Sequence, residues 1–198
     1  MKSAPVLLTL LRALLGPVVI LLAFSHFRFV LPDGLLFGVC LIAALLSDIL
    51  DGLIARRLGI ATERLRRMDS IADSIFYCSS LLAVWHLYPN AILDRELPLG
   101  LLAALELVRY AFDFAKFGRE ASYHMWSSKL WGLALFAGFF SLLALGSDSF
   151  AVDAAIYLGI VSDLEGLAIS LAVSECRSDI PTIVHAIRAR VPRSGMKA

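Results

Sequence analysis

The sequence predicts an all-α integral membrane protein, a bundle of six transmembrane helices, and two observations lead to this fold class. Of the 198 residues, 59% are hydrophobic and 18% are charged, whereas soluble domains are usually about 45–50% apolar and about 25% charged. The apolar residues are also gathered into six stretches that approach the ~20 residues a helix needs to cross a bilayer. We expect residues 1–198 to form a single domain.

The six stretches are separated by short connections. Ser74–Leu93 and Leu130–Ser147 contain no Asp, Glu, Lys or Arg, and Gly, Pro and Asn mark the connections at residues 32–34, 89–90 and 146–148. The spans are predicted at residues 13–31, 34–55, 69–88, 98–117, 127–146 and 151–174. Ahead of the first span, Val6–Arg12 fits either a short juxtamembrane amphipathic helix or an extension of the span itself.

The distribution of positive charge predicts the orientation of these spans. If both termini are cytoplasmic, all but three of the 18 Lys and Arg residues lie on the inner side. The exceptions are Arg28 and Arg95 near the outer side and Arg109 within the fourth span. Cytoplasmic loops are enriched in Lys and Arg, so this sorting supports the six-span layout. The net charge of +1 predicts no nucleic-acid partner.

Four aspartates lie at the inner ends of the second and third predicted spans. Asp48 and Asp51 are three residues apart and Asp69 and Asp73 are four apart, so each pair shares one helix face. A loop of about a dozen residues would let these two helices run antiparallel, which allows the four carboxylates to converge. A carboxylate near a helix centre costs about 2.5–3.5 kcal/mol to insert, so this concentration indicates a site.

Carboxylates held together repel one another unless cations lie between them. Oxygen-only ligands suit hard cations such as Mg²⁺ or Mn²⁺, and two such ions about 3.5–4 Å apart can clamp a phosphate undergoing displacement. Beside the carboxylates, the small Gly52 and Ala55 leave one helix face open, and Arg56 can pair with a phosphate. The alternative is that the aspartates pair with neighbouring arginines at the membrane surface.

At these residues the sequence resembles the CDP-alcohol phosphotransferase family. That family's signature reads D-x-x-D-G-x-x-A-R, eight residues, and then G-x-x-x-D-x-x-x-D. The matching positions are Asp48, Asp51, Gly52, Ala55, Arg56, Asp69 and Asp73. The resemblance extends weakly to Leu8–Arg12 and Pro17, which are similar to the N-terminal segment of bacterial members.

The resemblance implies an enzyme of phospholipid synthesis in a bacterial inner membrane, with its active site at the cytoplasmic face. It implies a CDP-linked lipid donor, often CDP-diacylglycerol, an alcohol acceptor, release of CMP, and a homodimer. Asp48, Asp51 and Asp69 would be metal ligands, and Asp73 would both bind metal and act as general base. The nucleotide side would be lined by Gly52, Ala55, Arg56 and Thr62.

The sequence departs from the signature at Leu65, where the family has Gly and where the nucleotide approaches closely. Leucine adds four carbons at that position. Three outcomes follow from it: a shifted nucleotide, a different nucleotide, or weak or absent catalysis. A relative without catalysis is therefore an alternative to the enzyme.

Basic residues further along the chain are candidates for binding the acceptor. They are Arg109, Lys116, Arg119 and Lys129, and a basic pocket suits a phosphorylated polyol. Arg109 and Asp113 are four residues apart and could instead neutralise each other. A cation transporter is a further alternative, because intramembrane carboxylates also mark ion pathways. Transport sites tend to lie near the bilayer midplane, however, and these aspartates lie at span ends.

Overall fold

A computed structural model describes residues 4–25, 33–59, 62–119, 123, 125–173 and 182, and every regular element in those ranges is helical. The α-helices are α1 (Ala4–Phe24), α2 (Asp33–Arg57), α3 (Glu63–Leu87), α4 (Pro89–Leu93), α5 (Glu96–Phe117), α6 (Trp126–Phe139) and α7 (Phe150–Ala172). A π-helical turn, Phe140–Ala144, continues α6.

Four helical segments of the described chain have the length and composition needed to cross a membrane. They are Ala4–Phe24, Gly34–Arg57, Trp126–Ala144 and Phe150–Ala172. Helices α3 and α5 have 25 and 22 residues, which at about 1.5 Å per residue is enough to span the hydrocarbon core. Both carry more Asp, Glu, Lys and Arg residues than any of the four segments named above. The all-helical membrane fold is therefore confirmed, and the count of six spans stays a prediction.

The N-terminal segment and the first span form one helix. Helix α1 runs from Ala4 to Phe24 without interruption, so Val6–Arg12 extends the first span rather than forming a separate surface helix. The predicted end of this span, residues 26–31, lies outside the described residues. Pro17 lies inside α1, where its missing N–H leaves one carbonyl of the preceding turn without its helical partner.

Helices α2 and α3 both reach further toward their connection than the sequence analysis predicted. Because α2 ends at Arg57 and α3 begins at Glu63, the connection is residues 58–62 and not a dozen residues. Two local features explain the short connection. Gly59 adopts a left-handed backbone with φ of 64°, which favours glycine. Thr62 caps α3 by accepting a hydrogen bond from Leu65 N at 3.3 Å.

The chain divides by contacts into two compact units, Met1–Asp94 with Phe136–Ser149 and Arg95–Leu135 with Phe150–Ala198. The single domain over residues 1–198 stays a prediction. In the first unit, α1 packs against α2 and α3 through one face of buried residues. That face consists of Pro5, Thr9, Arg12, Gly16, Val19 and Ala23, whose spacing of three or four is that of a single helical stripe.

Glycine permits two close approaches in the first unit. A side chain at Gly16 would come within 2.8 Å of Ser79 Oγ and 3.2 Å of the Ile75 carbonyl oxygen. A side chain at Gly34 would collide with the backbone of Ala144 in the π-helical turn. The backbone of α1 therefore lies directly against α3 one turn away from Arg12. Because Gly16 has no Cβ, α1 can approach α3 closely enough for Arg12 to be buried between the helices.

In the second unit, α7 presents a face of small residues to its neighbours. Gly159 and Gly166 lie on it, together with the buried Ala155, Ser162 and Ser170. A Cβ at Gly159 would lie 2.7 Å from Trp131 Nε1 and 2.8 Å from Leu102 Cδ1. Small residues let membrane helices pack closely, and here they bring polar side chains of α5 and α6 against α7.

Candidate metal centre

Three helices of the first unit bring the predicted carboxylates together. Asp48 and Asp51 lie in the last turns of α2, and Asp69 and Asp73 lie in the second and third turns of α3. Single carboxylate oxygens of Asp48, Asp51 and Asp69 all lie within 4.8 Å of one another. The pairing of i,i+3 and i,i+4 positions on neighbouring helices thus gives the convergence expected from the sequence.

Arg12 of α1 lies at the point where the four carboxylates meet. Its Nη1 atom is 3.1 Å from Asp48 Oδ1, and its Nη2 atom is 2.6 Å from Asp51 Oδ2 and 3.1 Å from Asp69 Oδ1. Asp73 Oδ1 accepts a hydrogen bond from Nη1. Since Arg12 is only 1% exposed, one buried guanidinium contacts all four carboxylates.

Two hydroxyl groups fix the position of this cluster. Ser47 Oγ accepts a hydrogen bond from Arg12 Nε at 3.4 Å and donates to the Ala44 carbonyl at 2.7 Å. Thr9 Oγ1 lies 3.0 Å from the Pro5 carbonyl oxygen and 3.3 Å from Asp51 Oδ2. Thr9 and Ser47 are both buried. Buried polar contacts therefore join α1 to the end of α2 that carries the carboxylates.

The donor set fits a divalent cation. All candidate ligand atoms are carboxylate oxygens, the type that Mg²⁺ and Mn²⁺ prefer. Asp69 Oδ1 is buried and makes no hydrogen bond in the described part of the chain. One guanidinium neutralises one of the four formal negative charges around it. The cluster therefore keeps a formal negative charge, which attracts further cations.

A small cavity adjoins the cluster within the first unit. Its polar wall includes Arg12, Asp48 and Asp73, while the remaining wall is aliphatic and aromatic: Leu41, Ala44, Leu45, Phe76, Tyr77 and Phe136. Asp48 is the most exposed of the four aspartates, with 47% of its side chain accessible, and Asp51 the least, with 6%. The cluster therefore reaches from the surface at Asp48 to the interior at Asp51, and Asp69 and Asp73 have intermediate exposure.

Residues 2–170 match the CDP-alcohol phosphatidyltransferase family. The chain belongs to this family. Comparisons with curated proteins and with solved structures found no match. Membership in the CDP-alcohol phosphatidyltransferases implies transfer of a phosphatidyl group from a CDP-alcohol, so the chain is a membrane transferase of phospholipid synthesis. It confirms the resemblance drawn from the aspartate signature.

The residues expected on the nucleotide side of this phosphatidyltransferase surround the short connection between α2 and α3. The guanidinium of Arg56 lies over Gly52, with its nitrogens 3.7 Å from a Cβ placed there. Ala55 is buried, so it packs inside the protein rather than facing an open groove. Thr62 is exposed and acts as the N-cap of α3, and Leu65 is half-buried in the first turn of that helix.

The four basic residues expected to bind the acceptor all belong to the second unit. Arg109 Nε lies 3.0 Å from Asp163 Oδ1, so its acidic neighbour is Asp163 and not Asp113. Lys116 Nζ donates to the Ser170 carbonyl at 2.7 Å, near the C-terminal end of α7, where a positive charge is favourable. Lys129 Nζ lies 4.7 Å from the ring centre of Trp126, and Arg119 is exposed just after α5.

The central position of Arg12 was not predicted from the sequence. Arg12 was expected among the positive charges on the inner side of the membrane, whereas it lies within α1 and is buried. The available signal was a single arginine inside a long apolar stretch, which in a membrane helix indicates a functional or paired residue. The matching partners, Asp48 and Asp51, were already recognised on α2.

Proposed function

We propose that this phosphatidyltransferase moves a phosphatidyl group from CDP-diacylglycerol to an alcohol acceptor and releases CMP. The observation that carries the proposal is the convergence of Asp48, Asp51 and Asp69 within 4.8 Å in a chain that belongs to the family. Divalent cations bound there, Mg²⁺ or Mn²⁺ and two in number, would stabilise negative charge developing on the donor's phosphates.

The four aspartates divide the chemical work in this proposal. Asp48, Asp51 and Asp69 would hold the metal, and Asp73 would both contribute to the site and take the proton from the acceptor hydroxyl. The acceptor oxygen forms a bond to the phosphorus that carries the diacylglycerol, and the bond from that phosphorus to the CMP oxygen breaks. CMP leaves with the bonding electrons, and the proton resides on Asp73.

Residues near the connection between α2 and α3 would hold the nucleotide. Arg56 is exposed next to Gly52, and its planar guanidinium can bind a phosphate bidentately. Thr62 caps α3 and Leu65 lies in its first turn, beside the backbone N–H groups that a helix N-terminus offers to anions. In this proposal the groups that bind the phosphates and the carboxylates that bind the metal belong to the same pair of helices.

Four basic side chains of the second unit favour an acceptor that carries a phosphate. Three of these side chains are exposed, those of Lys116, Arg119 and Lys129. The guanidinium of Arg109 lies beside the carboxylate of Asp163. Glycerol 3-phosphate and inositol phosphate are the acceptors that such residues would suit best. A neutral alcohol would use them less.

The decisive experiment uses the purified full-length chain with labelled CDP-diacylglycerol, Mg²⁺ or Mn²⁺, and a panel of phosphorylated and neutral alcohols. We expect metal-dependent CMP release with one phosphorylated acceptor. In the Asp73→Asn variant turnover should fall by roughly 10²–10⁴-fold, the usual contribution of a general base. Asp94→Asn is the matched control, since Asp94 is exposed and lies after α4; it should keep wild-type turnover.

Two results would contradict the proposal. The first is undiminished product formation by Asp73→Asn, which would remove Asp73 as the base. The second is no CMP release with any acceptor and either metal, which would favour a family member without catalysis.

A further inference from the structure

Arg12 is distinguished by the number of acidic groups that it contacts. It is 1% exposed and lies against Asp48, Asp51, Asp69 and Asp73 at once. By comparison, Arg95 lies 2.6 Å from Asp153, with 15% of its side chain exposed. A guanidinium held by four carboxylates is a structural cation inside the candidate metal centre.

The position of Arg12 is fixed from its own helix and from α2. Its Nε atom donates to Ser47 Oγ at 3.4 Å, and Thr9 lies one turn before it on the same face, next to Asp51. On the other side, Gly16 allows the backbone of α1 to lie against Ile75 and Ser79 of α3. The guanidinium therefore enters the cluster as part of the packing of α1, not as a mobile surface side chain.

The oxygens that Arg12 contacts are also candidate metal ligands. They include Asp51 Oδ2 and Asp69 Oδ1, which are 2.6 and 3.1 Å from Nη2. A divalent cation at the same oxygens would be repelled by the guanidinium, and because Arg12 and Asp51 are buried this repulsion is weakly screened. Without any cation, the four carboxylates would repel one another, which would drive α2 and α3 apart at this end and leave α1 without its attraction to them.

We propose that Arg12 is a built-in counter-ion of the candidate metal centre, which holds its four carboxylates together and weakens the binding of divalent cations by repulsion and by competition for their oxygens. This inference rests on the proposed function, because it takes these aspartates as the metal ligands. Arg12 is a positioning residue in this role. It acts on the affinity for metal and on the stability of the helix cluster.

The test compares Mn²⁺ binding and thermal unfolding of the full-length protein in detergent for wild type, Arg12→Gln and Arg12→Lys. Binding is measured from the electron paramagnetic resonance signal of free Mn²⁺, without substrate and independently of turnover. We expect Arg12→Gln to bind Mn²⁺ about tenfold or more tightly than wild type, within the usual range of coupling between two sites. Arg12→Lys keeps the charge and should give an affinity between these two.

Thermal unfolding gives the second half of the test. In the presence of a chelator, the melting temperature of Arg12→Gln should fall by about 5–10 °C, because the carboxylates lose their buried partner. Saturating Mn²⁺ should restore most of this loss, since the metal then supplies the missing positive charge. Arg95→Gln is the matched control: it also breaks an Arg–Asp pair, and its Mn²⁺ affinity should equal that of wild type.

Three outcomes would overturn the inference. Mn²⁺ affinity that is unchanged or weaker in Arg12→Gln would show that the guanidinium does not oppose the metal. Failure of Arg12→Gln to fold even with saturating Mn²⁺ would show that metal cannot replace it. No Mn²⁺ binding by either protein would overturn both this inference and the metal ligands proposed above, whereas the first two outcomes leave the proposed function standing.

Discussion

Leu65 occupies the position at which the signature quoted above has Gly, and the structure gives it a defined position. It lies in the first turn of α3, half-buried, and its backbone N–H donates to Thr62 Oγ1 at 3.3 Å. The hydrogen bond uses only the backbone of Leu65, so the side chain is not required for the cap. Replacing the side chain therefore tests its bulk without removing the interaction that starts the helix.

We predict that Leu65→Gly tightens binding of the CDP donor by several-fold, because four carbons leave the face to which we propose that the nucleotide binds. Glycine also weakens the first turn of α3 by roughly 0.5–1 kcal/mol, which lowers the melting temperature slightly. Leu65→Ala separates the two effects, since alanine removes most of the bulk and is the best helix former. Donor binding is measured by titration with CDP-diacylglycerol in detergent; unchanged or weaker binding in both variants would contradict the prediction.

At the scale of residues, the sequence was sufficient to identify the acidic half of the site but not its basic half. The sequence alone identifies four aspartates, because carboxylates at i,i+3 and i,i+4 spacing are rare in apolar helices: Asp48, Asp51, Asp69 and Asp73. Arg12 has no such spacing on its own helix, and its partners lie 36 to 61 residues away along the chain. Only the packing of α1 against α2 and α3 shows that they meet.

Helix α3 shows how an element of low apolarity is accommodated in this fold. The hydroxyl groups of Ser74, Ser79 and Ser80 each donate to the carbonyl four residues earlier, at 2.9, 2.7 and 3.0 Å. Each hydroxyl is thereby satisfied within the helix, as a polar group in an apolar environment requires. The polar composition of α3 is thus compatible with an intramembrane position, although composition alone does not reveal this.

The contact of α1 with α3 at Gly16 leads to a prediction at the scale of elements. A Cβ at this position would lie 2.8 Å from Ser79 Oγ and 3.2 Å from the Ile75 carbonyl oxygen, so Gly16→Ala forces α1 away from α3. We expect the melting temperature to fall by several degrees, consistent with the 1–3 kcal/mol that overpacking usually costs. Turnover should also fall, because Arg12 lies one turn away on the same helix.

Gly100→Ala provides the matched control for this change. Gly100 lies in α5 and has no heavy atom within 4 Å of an added Cβ, so alanine there meets open space and improves helix propensity. Its melting temperature and turnover should equal or exceed those of wild type. Equal melting temperatures for the two variants would show that the α1–α3 contact tolerates a side chain.

Helix boundaries were the part of the elements that the sequence predicted least well. The third span was predicted to begin at Asp69, but α3 begins at Glu63. The charged residues between these positions suggested a loop, while the Thr62 cap and the αL backbone of Gly59 favour a tight connection. Apolar periodicity identifies the membrane-buried part of a helix and misses polar turns that extend beyond it.

At the scale of the whole molecule, the six-span topology makes a prediction about α3 and α5. If both helices cross the membrane, residues 58 and 119 lie on the cytoplasmic side and residue 90 on the opposite side. Single cysteines introduced as Leu58→Cys, Asn90→Cys and Arg119→Cys in a chain without its native cysteines test this with a membrane-impermeant thiol reagent. In intact spheroplasts we expect Asn90→Cys alone to be labelled.

Inverted membrane vesicles should give the complementary pattern, with Leu58→Cys and Arg119→Cys labelled and Asn90→Cys protected. Detergent must expose all three positions, which controls for local burial. Labelling of positions 58 and 90 from the same side would show that α3 does not cross, and this result would contradict the six-span layout.

The burial of Arg12 in α1 also has a consequence for how the protein is made. Helix α1 is translated before α2 and α3, so its arginine reaches the translocon before any of the aspartates that neutralise it. An arginine without a partner opposes membrane insertion by at most about 2.5–3.5 kcal/mol, the cost at a helix centre, and the leucine-rich remainder of α1 must outweigh this cost. We therefore expect the first helix to be held more stably in the membrane once α3 has been made, and a nascent chain truncated before Asp73 to be degraded faster than the full-length chain.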